Sequence, residues 1–108
     1  MPLTRAFKET IKARVERDAA FREAMLTEGI EALLAGDIET GKAVLRDYVN
    51  ATVGFDRLAE ATNTPVKSLM RMLGPRGNPT AGNVFAIIGE LQRASGVQLQ
   101  VLVNRKAA

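Results

Sequence analysis

Residues 58–73 read LAEATNTPVKSLMRML, and the centre of this stretch leaves the backbone few choices. Asparagine is among the few non-glycine residues that tolerate a left-handed backbone, so Asn63 can reverse the chain sharply. Thr64 precedes proline, which pushes it toward the extended angles of a helix N-cap. Pro65 suits a first helical position, where no amide hydrogen is missed. The three residues together predict a tight turn feeding a new helix, with the Thr64 hydroxyl as its cap. The flanking residues agree. Leu58 and Ala59 face a partner helix, and Val66, Leu69, Met72 and Leu73 recur at helical spacing as the buried side of the second helix. Lys67, Ser68, Met70 and Arg71 are left facing outward.

That outward side carries a chemistry which a core hairpin does not need. Lysine and arginine reach phosphates or guanine edges, serine reaches either, and an exposed methionine can touch a thymine methyl. Met70 can instead fold back onto its neighbours, and the bland reading of Lys67 and Arg71 is a solvated helix face. Charge placement favours the first reading. The net charge is only +3, and residues 1–36 carry six bases and six acids. Between Glu60 and Glu90 there is no acid, whereas Lys67, Arg71 and Arg76 lie inside that gap. A one-sign stretch attracts a polyanion with no carboxylate to repel it, and the bland alternative is that three bases fall in such a gap by chance.

The rest of the chain reads as further helices. Leu3, Phe7, Ile11 and Val15 step by four along a first helix over about 4–17. Asp18 caps a second over about 19–35, with Phe21, Met25, Leu26, Ile30, Leu33 and Leu34 as its apolar stripe. Gly36 stops it and Asp37 caps a third, carrying Ile38, Val44, Leu45, Tyr48 and Val49 toward Ala51. Gly54 precedes a short helix to about Thr62. After the turn and its helix to Leu73, GPRGNP at 74–79 is a loop. Thr80 caps a last helix that Gly96 ends, and VQLQVLV at 97–103 alternates as a strand does.

Several function classes fall away. The chain has no histidine and no cysteine, so neither a Ser-His or Cys-His catalytic system nor a thiolate zinc site can be assembled. The twelve carboxylates form no recognisable acid/base constellation, GPRGN lacks the ending of a nucleotide-binding loop, and no cofactor motif is present. No apolar run approaches membrane-spanning length and the charged start is unlike a signal peptide, so a cytoplasmic, non-enzymatic protein is expected.

The run FDRLAEATNTPVKSLMRML resembles the helix-turn-helix of phage-repressor-like (Xre-type) regulators, through Leu58-Ala59, the turn residue Asn63, and the buried Leu69 and Met72. The family usually has glycine where Asn63 stands and often serine where Pro65 stands. GNPT at 77–80, the helix after it, VQLQVLV and the upstream LLAGDIETGKAVLRDYV resemble one branch, the addiction-module antidotes, or HigA-like antitoxins. The likeness covers about residues 33–103 and is strongest over 55–80. It implies an all-α, lambda-repressor-like helix-turn-helix bundle, with an N-terminal helical extension at 1–36, a DNA-binding domain at 37–96, and a C-terminal strand and tail at 97–108. It also implies DNA contacts by Lys67, Ser68, Met70 and Arg71, with Arg76 and Asn78 on the phosphate backbone. The implied function is sequence-specific binding to an operator in double-stranded DNA as a homodimer, repressing its own promoter while masking an RNA-cleaving toxin protein.

Other readings stay open at this point. A stand-alone repressor without a toxin would share these residues. A protein-interaction module would use the first two helices and bind no DNA. A non-specific nucleoid binder is less attractive, because the basic charge is sparse. The lone strand needs a partner for its backbone. Pairing across a two-fold axis would supply one, strand addition to a toxin's sheet edge another, and a short extended tail would need neither.

Overall fold

Short polar side chains set where three of the helices begin. The Asp18 carboxylate accepts from the Phe21 amide at 3.1 Å, Asp37 from the Thr40 amide at 3.3 Å, and the Thr80 hydroxyl oxygen from the Asn83 amide at 3.1 Å. Each satisfies a first-turn donor that has no intrahelical partner. The computed structural model describes residues 5–106 apart from the side chain of Lys8. It contains six helices: α1 (Arg5–Arg17), α2 (Ala19–Leu34), α3 (Ile38–Ala51), α4 (Phe55–Thr62), α5 (Val66–Met72) and α6 (Ala81–Ser95). The expected positions of Leu3 and Thr4 on the first helix lie outside the described residues.

The ends of α2, α4 and α6 share one device. Gly36, Asn63 and Gly96 adopt left-handed angles, with φ of 84°, 51° and 68°. Each donates its own amide three residues back, to Leu33, Glu60 and Arg93, while the following amide reaches back five, to Ala32, Ala59 and Gln92. These paired bonds satisfy carbonyls that the helix leaves open.

One apolar core joins α2 through α6. It runs from Leu26 of α2 through Leu45 and Val49 of α3, Leu58 of α4 and Leu69 of α5 to Ile87 and Leu91 of α6. The most extensive packing is between α2 and α3, whose backbones approach at the buried Gly29 and Gly41. Tyr48 is buried, and its hydroxyl hydrogen-bonds the Ser95 hydroxyl, tying α3 to the end of α6. At the α1–α2 corner the Arg22 guanidinium donates to the Val15 carbonyl at 2.6 Å, and the Arg14 guanidinium lies over the Phe21 ring. Among the described side chains of α1 only Val15 is fully buried; Ile11 is partly covered and Phe7 is exposed.

The all-helical architecture agrees with the sequence reading, but the C-terminal strand does not form. Among the described residues there is no strand. The alternation at 97–100 is real, yet its apolar side packs on the helical core: Val97 and Leu99 lie against it, and the Leu99 amide donates to the Gln92 side-chain oxygen at 2.7 Å. Gln98 and Gln100 face solvent. The core of the helical body thus covers the apolar side of this segment. Val101, Leu102 and Val103 then leave the body and are 80–83% exposed. Leu34 and Ile38, expected on apolar stripes, are exposed too. No helix among the described residues is long and apolar enough to cross a membrane.

Candidate nucleic-acid interface

The turn between α4 and α5 is built by Asn63, as its residue type predicts. The left-handed residue closes α4 and redirects the chain within two residues. Thr64 departs from expectation. Its hydroxyl donates back to the Thr62 carbonyl at 3.0 Å, so it braces the turn and does not cap α5. Pro65 is the residue before the helix and not its first member; with ψ of 142° it is extended, and its carbonyl accepts the first α5 bond, from the Leu69 amide at 3.1 Å. Asn63→Gly is expected to be tolerated. Asn63→Val should lower stability by about 1–2 kcal/mol, because a β-branched residue is strained at positive φ. Equal melting temperatures for the valine variant and the parent would remove the turn from this account.

Leu69 and Leu73 are buried in the core, and Val66 and Met72 are partly covered. The opposite side of α5 is open. Lys67 and Arg71 are exposed, Met70 is 53% exposed, and Ser68 is half-buried. Arg71, Arg76 and Asn78 are brought together around a shallow depression of ≈ 260 Å³, with Thr80 and Asn83 from the start of α6 completing its wall. Lys67, Ser68 and Met70 do not line that depression. The six expected positions therefore divide into an open helix face and an adjoining polar hollow, with Arg71 at the boundary. None of the ion pairs among the described residues involves Lys67, Arg71 or Arg76. All three lie within the acid-free span 61–89.

Two residues of α3, neither of them among the six expected contacts, hold it in place. Lys42 is only 2% exposed, and its ammonium donates to the Gly77 carbonyl at 2.7 Å while pairing with Glu39 at 3.0 Å. The Arg46 guanidinium donates to the Leu73 carbonyl at 2.9 Å, at the C-terminal end of α5. A cation there satisfies a carbonyl the helix leaves open and lies at the negative end of its dipole. Arg46 is thus committed to structure. Asn83 is the other residue that sequence reasoning missed: its side chain belongs to the hollow although nothing in its local pattern marks it.

This arrangement offers exposed hydrogen-bond donors on a short helix and a polar recess beside its end. It offers no nucleophile–base pair, and among the described residues no three metal-ligating side chains converge. Comparison with protein-family models, with curated proteins and with solved structures finds no match to this chain.

Proposed function

We propose that the protein is a sequence-specific DNA-binding transcriptional regulator of the helix-turn-helix kind. In this reading α4 and α5 form the motif and α5 enters the major groove. Lys67, Arg71, Ser68 and Met70 then face base edges or nearby phosphates, while Arg76 and Asn78 approach the backbone. The observation that carries it is the acid-free, solvent-open side of α5, held by a left-handed turn at one end and by Lys42 and Arg46 at the other. A helix meant only to fill a core needs neither the outward bases nor so rigid a seat.

The protein acts as a homodimer, since operators for such folds are commonly two-fold symmetric and the protein mirrors them. The resemblance of LLAGDIETGKAVLRDYV and GNPT to the addiction-module antidotes favours autorepression within a type II toxin–antitoxin module, with an RNA-cleaving toxin as the second partner. The test is binding to the DNA upstream of the protein's own gene and to scrambled DNA at several salt concentrations. The upstream DNA should bind more tightly at every salt, and affinity for both should fall as salt rises. Indifference to sequence and salt would remove the DNA reading. For the antitoxin role, co-expression with the adjacent open reading frame should yield a stable complex that silences RNA cleavage.

A further inference from the structure

We infer that the apolar groove between α2, α3 and α6 is the seat for the C-terminal segment of a second copy of this chain. The groove holds ≈ 380 Å³ and is walled by Leu33 and Leu34 of α2, Ile38 of α3, and Val84, Phe85 and Ile88 of α6. Phe85 is 69% exposed, an unusual state for a phenylalanine beside other apolar side chains. The volume falls in the range of sites that enclose a small ligand or a few side chains.

The occupant is argued from the same chain. Val101, Leu102 and Val103 form a consecutive apolar triplet that touches little of its own body, although Leu99 just before it is anchored to Gln92. One molecule therefore carries an uncovered apolar groove and an uncovered apolar segment. Charge fits as well. Arg105 and Lys106 follow the triplet, whereas the exposed acids Glu31 and Asp37 stand within three residues of the groove-lining Leu34 and Ile38. A triplet lying in the groove brings opposite charges together. Two copies exchanging tails would fill both grooves in one closed, two-fold arrangement. The inference rests on the homodimer part of the proposed function but not on DNA recognition.

The test uses the full chain. The parent should sediment as a dimer at micromolar concentration. Phe85→Glu and Leu102→Glu, both at exposed positions, should remain folded by circular dichroism and sediment as monomers. The chain has no native cysteine, so single-cysteine variants report cleanly. Phe85→Cys and Leu102→Cys chains, mixed, left to exchange and then oxidised, should give chiefly the hetero-linked product by intact mass. A monomeric parent would overturn both this inference and the homodimer reading. A dimeric parent with a dimeric Phe85→Glu or Leu102→Glu variant would overturn the groove alone, as would a dominant link between two Leu102→Cys chains, which would mean that tails pair with tails.

Discussion

Replacing Arg71 by alanine is expected to weaken operator binding by about 1–3 kcal/mol per subunit and to relax preference at one base pair, the signature of a lost guanine-edge contact. The side chain is exposed, so folding should be unaffected. Arg76, in the loop beyond α5, should behave differently. Its alanine variant should lose affinity for all sequences alike, with the salt dependence flattened by about one unit of slope per subunit, as for a phosphate contact. Titrations of operator and scrambled DNA at several salt concentrations separate the two effects. Identical behaviour of the two variants would mean that Arg71 reads no base.

Gly77→Ala should be the most damaging single methyl in the region. A Cβ at Gly77 would overlap the carbonyl groups of Arg71 and Met72, which are backbone and cannot swing aside. Relief requires the loop to lift from the end of α5, and that movement pulls the Gly77 carbonyl from the buried Lys42 ammonium. Overpacking of this kind costs about 1–3 kcal/mol or more, a fall in melting temperature of several degrees. The matched control is Gly89→Ala in α6, where a Cβ meets nothing within 4 Å. There the expected change is a gain of about 0.4–1 kcal/mol, since alanine loses less backbone freedom on folding. Thermal melts of both variants should therefore move in opposite directions. Equal melting of Gly77→Ala and the parent would show that this loop is not held against α5.

These expectations show which features could be read from the chain alone. Asp18, Asp37 and Thr80 cap helices because a side chain needs only the amide three residues on, so the deciding atoms are neighbours in sequence. The left-handed Asn63 was legible for the same reason. Thr64 was not: its hydroxyl had two local partners within reach, and residue type cannot choose between capping α5 and bracing the turn. The strand at 97–103 failed at a longer range. Alternation tells which side of a segment is apolar but not what covers it, and here α6 and the core cover Val97 and Leu99.

Within the candidate site, the bases facing outward from α5 followed from helical spacing around Leu69 and Met72. Their support did not. Lys42 lies three residues before Leu45 and seven before Val49, on the side of α3 that turns inward, and a lysine at that spacing was the available signal. Its partner, the carbonyl of Gly77, is 35 residues away, and only the folded chain shows it. Asn83 entered the hollow through the same kind of distant placement, with α6 starting beside the end of α5.

The claim that α5 reads DNA is tested most directly by the double variant Lys67→Ala/Arg71→Ala. Both side chains are exposed and one helical turn apart, away from the buried Leu69. The variant should fold as the parent does by circular dichroism, yet bind the DNA upstream of its own gene no better than scrambled DNA. A folded double variant that binds its operator as tightly as the parent would show that this helix is not the reader.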